Sequence, residues 1–247
     1  MAKVNIDIED IKLGLENIGY VINDCIEREN NGTNWQIKFS NSGAIATVYD
    51  SNTKKNTVVN GKFENGENEC LKAIIDGLKC KELTIEPLNK VIVDLINLRR
   101  EGVFYDYKRE LSGKNDDLLH DILCLSNNTE NKEAYLIVGV SDDHEVIGIP
   151  EDIVSNNIFD FLRAQSFAGD NIPEIDVKNL FYKYKRIGVI VCKSSKHVPF
   201  YLTKKYMGVF SHQIYTRVGD TNTPKDKHAS YRDTEKLWRI HFEREKE

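Results

Sequence analysis

The stretch AYLIVGV, residues 134–140, runs for seven positions without a charged residue or a proline. Such a run is typical of a strand that is covered on both faces, as in the centre of an α/β sheet. The turn-forming residues SDDH, 141–144, come next, and EVIGI, 145–149, predicts a second strand. This stretch therefore predicts that the second half of the chain is built around a buried sheet.

Segments with helix and strand patterns flank this run on both sides. Helices are predicted in LNKVIVDLINLRR (88–100), NDDLLHDILCLSN (115–127), IFDFLRAQSF (158–167) and DTEKLWRIHFE (233–243). Strands are predicted in VFYDYKREL (103–111), IGVIVC (187–192) and QIYTRVG (213–219). The mixture of strands and helices predicts a mixed α/β sheet domain over residues 87–247.

The first 86 residues predict a separate small module. Isoleucine and leucine recur at steps of three and four from residue 8 to residue 26, which predicts one amphipathic helix. Turn residues at 30–34, 40–43 and 51–56 separate three predicted strands, WQIKF (35–39), AIATVYD (44–50) and TVVNGKF (57–63), and a short helix follows around residues 71–78. The module is thus predicted as α-β-β-β-α, with the boundary at Pro87, and the whole chain as α+β or mixed α/β.

That order of elements resembles double-stranded-RNA-binding domains and the half-units of TATA-box-binding-protein-like domains. The stretch ATVYDSNTKKNTVVNGKFENG, 46–66, is similar to the strand-turn-strand of the latter. The resemblance implies an RNA-binding role. A small module for interaction with a protein partner, or for homo-oligomerisation, is the alternative that the residues leave open.

Composition excludes several classes of protein. No apolar run approaches the roughly 20 residues that span a bilayer, and MAKVNIDIED at the start has no apolar signal region. The five cysteines and six histidines are scattered, without a C-x-x-C pair, which disfavours disulfides and zinc. These features predict a cytoplasmic protein without a membrane partner.

A basic and aromatic segment stands out against the net charge of −5. No acid occurs between Asp176 and Asp220, whereas nine basic residues do. Such a local field attracts polyanions, and the interleaved aromatic rings can stack on bases. We predict that the nucleic-acid contacts include Lys183, Lys185, Arg186, Lys204 and Lys205; ordinary solvated lysines are the alternative.

Arg217 and Thr221 lie in TRVGDTNTP, 216–224, at the end of this segment. A loop with these side chains is suited to holding a phosphate, so both residues join the predicted nucleic-acid contacts. A tight turn at Gly219 is the competing explanation.

The stretch VFYDYKREL, 103–111, carries the candidate chemistry. On a strand, Asp106 and Lys108 project to one face, and Tyr105 and Tyr107 to the other. The tyrosines are then expected to pack on the core while the polar pair faces a groove. The pair indicates either a solvated strand face or a metal-dependent site for phosphodiesters.

Three blocks occur in one order: EGVFYDYKREL (101–111), DDLLHDILCLSNNTENKEAYLIVGVSDDHEVIGI (116–149) and IYTRVGDTNTP (214–224). Together they resemble the Schlafen AlbA-like domain, over about residues 88–240. The chain departs from the family pattern at Asp106, where members commonly carry glutamate, and at Glu133 and Ala134, where they commonly carry paired glycines.

The resemblance implies cleavage of structured RNA, tRNA in particular, with three acids at the site. Carried over by position, these are Glu101, Asp106 and either Asp142 or Asp143, with Mg²⁺ or Mn²⁺ as the metal. Oxygen ligands suit both ions, and Lys108 can neutralise developing charge. A toxin or phage-defence role is a hypothesis that only the family suggests.

Each of these residues also has a structural explanation. Glu101 can end a helix in a surface ion pair, and Asp142 and Asp143 are good turn formers. Lys108 can pair with Asp106 or with the nearby Glu110. The leading hypothesis is a metal-dependent endoribonuclease; a non-catalytic nucleic-acid-binding or regulatory protein is the alternative, and nucleotide hydrolysis ranks last because no G-x-x-x-x-G-K-[ST] loop occurs.

Overall fold

A computed structural model describes residues 6–29, 33–40, 43–50, 56–61, 66–111, 113 and 115–243. The chain divides into two compact units, residues 1–98 with 181–185, and residues 99–180 with 186–247. The predicted turns at 30–34, 40–43 and 51–56 lie partly outside the described residues. No described helix is long and apolar enough to cross a membrane.

The first unit is a four-stranded antiparallel sheet with helices. Its elements are α1 (Ile8–Asn17), β1 (Ile22–Glu29), β2 (Thr33–Phe39), β3 (Ile45–Tyr49), β4 (Val58–Asn60), α2 (Glu67–Lys79) and α3 (Pro87–Asn97), with the strands in the order β1-β2-β3-β4. Apolar residues of β2 and β3, such as Ile37 and Val48, are buried in one cluster with Leu15 of α1 and Leu71 of α2. The α+β class is confirmed.

The predicted helix over residues 8–26 is wrong beyond residue 17. Gly19 has a φ of 94°, which a helix does not accommodate, and the chain then turns into β1. Pairing with β2, from Glu29 opposite Thr33 to Ile22 opposite Phe39, holds the following residues in extended form. The isoleucine spacing continues across Gly19, so periodicity alone could not detect the end of the helix.

The second unit is built on a sheet with the strand order β5-β6-β8-β7. The strands are β5 (Tyr105–Lys108), β6 (Ala134–Val138), β7 (Ile175–Tyr182) and β8 (Lys185–Cys192), and the helices are α4 (Asn115–Ser126), α5 (Ser155–Arg163) and α6 (Tyr231–Glu243). β5 is parallel to β6, and β6 is antiparallel to β8. All five residues of β6 are buried, as the apolar run predicts.

Two strand predictions in this unit need correction. Residues 145–149 form a single antiparallel β-bridge, Val146 with Val140, instead of a full strand, because the N–H groups of Ile147 and Gly148 both donate to the Gly139 carbonyl and fold the segment back. The predicted strand at 213–219 shrinks to β9 (Arg217–Val218), which pairs with β10 (Thr221–Asn222). β7 overlaps the start of the basic segment between Asp176 and Asp220, where no strand was predicted.

Limited proteolysis is expected to cut first in residues 80–86, where most side chains are exposed and no helix or strand forms. The predicted boundary at Pro87 lies beside this loop, whereas the compact units divide after Leu98, so that α3 belongs to the first unit. Mass spectrometry of the earliest fragments locates the cut. A first cut within β6 would contradict the fold, because a buried central strand should open last.

Candidate functional site

The candidate site begins with two charged residues of strand β5, Asp106 and Lys108. Tyr105 and Tyr107 are buried at 3% and 5% exposure, as expected for the core-facing side chains of the strand. Asp106 is also buried, at 2% exposure, whereas Lys108 keeps about a third of its side chain exposed. Lys108 Nζ lies 2.9 Å from Asp106 Oδ2. The ion pair that was one structural explanation for Lys108 is therefore present.

Arg217 is the counter-ion of both predicted acids of the first block. Its side chain is almost fully buried; Nη2 lies 2.6 Å from Glu101 Oε2 and 3.4 Å from Asp106 Oδ1. Its Nε donates to the Gly102 carbonyl and its Nη1 to Asn222 Oδ1, at 2.7 and 2.8 Å. The prediction of Arg217 as an accessible phosphate contact does not fit this placement, because its guanidinium is enclosed by acceptors of the protein.

Two residues that the sequence analysis missed complete the site. Lys108 Nζ lies 3.4 Å from Asp121 Oδ2, and Asn222 Nδ2 donates to Asp121 Oδ1 at 2.9 Å. Asn222 therefore connects Asp121 to Arg217. We call the set of six side chains the charge network: Glu101, Asp106, Lys108, Asp121, Arg217 and Asn222. The sequence contains one indication of Asp121: it lies four residues after Asp117, so that both carboxyl groups are on the same face of α4.

Burial and like charge shift the pKa values in the charge network. Burial, and next the neighbouring Asp106, raise the pKa of Glu101, while Arg217 opposes them. Burial raises the pKa of Asp121 to about 6, although Lys108 works against the shift. Burial works to lower the pKa of Lys108, but Asp121 and Asp106 outweigh it and the pKa is raised. Three carboxyl groups thus share two cations.

A cavity of about 240 Å³ borders the charge network. Its lining includes Lys108, Asp117, His120 and Asp121. Nε2 of His120 lies 2.7 Å from the Thr223 carbonyl, so this nitrogen donates a hydrogen bond. Burial lowers the pKa of His120, which favours the neutral ring. The cavity therefore gives one lysine and three carboxyl groups, those of Glu110, Asp117 and Asp121, access to a small polar group.

Asp142 and Asp143 are not part of the charge network. Both are exposed in the turn after β6, where the His144 N–H donates to the Ser141 carbonyl. Across the described parts of the chain, no three His, Cys, Asp or Glu side chains form a group that could hold a metal ion. The structure therefore brings Glu101 and Asp106 together but does not add a third acid from this turn.

The carboxylate oxygens of Glu101 and Asp106 are nevertheless suitable ligands for a hard divalent cation. Asp106 Oδ2 is buried, and the ion pair with Lys108 Nζ at 2.9 Å leaves lone-pair capacity on this oxygen unused. The raised pKa of Glu101 reflects repulsion from Asp106 in addition to burial. Mg²⁺ is commonly bound by one or two carboxylates, with water and substrate phosphate as the other ligands. Two adjacent carboxylates are enough for such a site.

Part of the basic segment is already paired with acids. Lys178, Arg186 and Lys193 pair with Asp176, Asp152 and Glu133. Lys183 and Lys185 belong to the first compact unit. Thr221 is exposed in β10, and its hydroxyl donates to Asp220 Oδ1. Of the predicted contacts, Arg186 and Arg217 therefore already have acidic partners.

Lys204 and Lys205 differ from these residues. Both are exposed, and neither forms an ion pair with any described residue. Lys205 Nζ lies 4.1 Å from the centroid of the Phe210 ring, which is 40% exposed. The nearby Met207 is 60% exposed. We call residues 203–212 the basic-aromatic loop, because it presents cations and an aromatic face together.

The mixed sheet and the charge network define an α+β domain with a buried polar site at the edge strand β5. Residues 101–226 of the 247 match the family model Schlafen, AlbA_2, a span that contains the whole charge network and the basic-aromatic loop. The chain belongs to this Schlafen family, and the family indicates a nucleic-acid-related function. No curated protein sequence matches the chain.

Proposed function

We propose that the second unit is an endoribonuclease that cleaves structured RNA, with tRNA as the favoured substrate. The observation that carries the proposal is the charge network, which lies within the family match and borders a cavity. Carboxyl groups with shifted pKa values beside a lysine in a cavity are typical of sites of proton transfer and charge stabilisation.

Within this proposal the side chains have distinct tasks. Arg217 orients the carboxylates of Glu101 and Asp106 through contacts of 2.6 and 3.4 Å. Lys108, at the border of the cavity, contacts a phosphate oxygen of the substrate and stabilises the charge that develops there. Because Lys108 is already held by Asp106, little reorganisation is needed when the substrate arrives.

A divalent metal, Mg²⁺ or Mn²⁺, is part of the proposal, with Glu101 and Asp106 as its protein ligands. When bound at such a site, the ion stabilises negative charge on the phosphoryl oxygens and favours deprotonation of the nucleophile. Asp142 or Asp143 as a further ligand stays a prediction. Its test is the paired change Asp142→Asn with Asp143→Asn, measured as the metal concentration needed for half-maximal cleavage.

The experiment that tests the function is incubation of the purified chain with total tRNA, with Mg²⁺, with Mn²⁺ or with excess chelator. We expect discrete tRNA fragments in the presence of either metal and intact tRNA with chelator. Retarded migration of tRNA without fragments, under every metal condition, would support a non-catalytic nucleic-acid-binding protein instead. The observation that favours this second candidate is that Arg217 already pairs with both Glu101 and Asp106.

The basic-aromatic loop is proposed to hold the RNA. Changing Lys204 and Lys205 to Glu is expected to weaken tRNA binding and to lower the slope of log Kd against log salt concentration by about 2, since about one counterion is released per phosphate contact. Fluorescence anisotropy at four salt concentrations measures the slope.

The matched control for this loop is Lys236→Glu with Arg239→Glu on α6. It changes the net charge equally, at residues that pair with Asp233 and Glu235. An equal loss of slope in both double variants would mean that net charge, and not the basic-aromatic loop, governs binding. The toxin or phage-defence role that the resemblance implies becomes testable once a cleaved RNA is known.

A further inference from the structure

The cavity beside the charge network contains a carboxyl group that the Schlafen resemblance does not assign. Asp121 projects from α4, is 7% exposed and lines the cavity together with Lys108 and His120. Its Oδ1 is fixed by the hydrogen bond from Asn222, and its Oδ2 lies 3.4 Å from Lys108 Nζ. One oxygen is thus anchored, while the other lies near the lysine that we propose to contact phosphate.

We propose that Asp121 accepts the proton of the nucleophile during RNA cleavage, an inference that rests on the proposed ribonuclease function. The proton of the attacking water or ribose hydroxyl passes to Asp121 Oδ2 as the new oxygen–phosphorus bond forms. The bond from phosphorus to the leaving ribose oxygen then breaks, and that oxygen takes a proton from solvent. Asp121 later returns its proton to solvent, so no co-reactant is needed.

The other carboxyl groups of the charge network, and Asp117 at the cavity, have closer cationic partners. Glu101 and Asp106 are held by Arg217, with Asp106 also 2.9 Å from Lys108. Asp117 is held by Lys225. The contact of Asp121 with Lys108, at 3.4 Å, is longer than that of Asp106 with the same ammonium group. Among the acids of the charge network, Asp121 therefore has the weakest pairing to a cation, and it is buried, whereas Glu110, which also lines the cavity, is exposed.

The groups that face Asp121 support proton transfer near neutral pH. Lys108 and Asp106 face it from β5, Asp117 and His120 lie on its own helix, and Asn222 faces it from β10. Burial, with Asp106 and Asp117 adding to it and Lys108 opposing it, raises the pKa of Asp121 to about 6. A general base works best when its pKa lies near the working pH, since it is then ionised and still basic.

The test compares Asp121→Asn with wild type in the pH dependence of kcat for tRNA cleavage. In wild type, kcat is expected to fall as pH drops below about 6, because protonated Asp121 cannot accept a proton. Asp121→Asn is expected to lower kcat by about 10²–10⁴-fold, to leave KM nearly unchanged and to remove this acid limb. Asp121→Glu keeps a carboxyl group and is expected to restore part of kcat together with an acid limb.

Asp117→Asn is the matched control, because it makes the same change on the same helix beside the same cavity. It is expected to keep the acid limb, displaced to slightly lower pH because the charge of Asp117 adds to the raised pKa of Asp121, with kcat within about threefold of wild type. An acid limb that persists in Asp121→Asn, with kcat close to wild type, would overturn the inference while leaving the ribonuclease function intact. A wild-type chain that cleaves no RNA would instead overturn the proposed function itself.

An NMR titration of the Asp121 carboxyl carbon is independent of cleavage and serves if Asp121→Asn does not fold. The resonance is assigned by its loss in Asp121→Glu, which preserves the charge. A midpoint near 6 in the wild-type chain supports the inference, whereas a midpoint near the ordinary value of about 4 would overturn it.

Discussion

Replacing Arg217 with Met is expected to destabilise the second unit by about 3–5 kcal/mol, the range found when one partner of a buried ion pair is removed. The change leaves Glu101 and Asp106 without their shared cation, and it leaves the Gly102 carbonyl and Asn222 Oδ1 without a donor. Buried acceptors and charges that lose their partners are costly. We therefore expect the largest loss of stability among the single changes considered for this chain.

Equilibrium urea unfolding, followed by tryptophan fluorescence, measures this loss. The chain has two tryptophans, and one lies in each unit. Trp238 on α6 reports on the second unit once Trp35 is changed to Phe. Arg217→Lys is the control: it keeps the charge, but an ammonium group cannot replace the planar fork of donors, so an intermediate loss is expected. Adding Glu101→Gln to Arg217→Met should recover part of the stability. A cost below about 1 kcal/mol for Arg217→Met would show that the ion pairs contribute little.

Asp106→Asn is expected to reduce tRNA cleavage by at least about a thousandfold, an effect typical of removing a central charged group of a catalytic site. The amide keeps the shape of the side chain but loses the charge that holds Lys108 and that would bind a divalent metal. Single-turnover cleavage at saturating protein measures the effect, because it separates the chemical step from RNA binding.

The stability of this variant follows from the contacts of Asp106. A cluster of acids without a counter-ion would gain stability when one charge is removed. In the structure, Asp106 instead lies between Arg217 and Lys108. We therefore expect Asp106→Asn to cost about 1–3 kcal/mol, as for a buried polar group that loses a charged partner.

Asp152→Asn is the control for Asp106, since Asp152 also pairs with an arginine, Arg186, but at an exposed site. It should leave cleavage unchanged. If Asp106→Asn cleaves tRNA like wild type, the charge network is a structural feature and the ribonuclease proposal fails. If Asp106→Asn loses cleavage but keeps its affinity for tRNA, the variant is defective in the chemical step and not in RNA binding.

Local patterns predicted much of the second unit. The apolar run of β6, the amphipathic spacing of α4 to α6 and the alternation in β5 each depend on residues that are neighbours in sequence, and the structure confirms these elements. The patterns failed where a backbone conformation decided the outcome. At Gly19 a positive φ ends the helix, and at Gly139 hydrogen bonds from Ile147 and Gly148 replace the predicted strand.

The sequence by itself determined the α+β class and the family, through three short blocks that keep their order and spacing along the chain. It also placed Glu101, Asp106 and Lys108 in one block. Only the tertiary structure decided that Arg217, 116 residues after Glu101, is their buried counter-ion, and that Asp121 and Asn222, 101 residues apart, join the same network. Periodicity and motif spacing describe neighbours within a few turns, whereas a charge pair forms wherever packing brings two side chains together and excludes water.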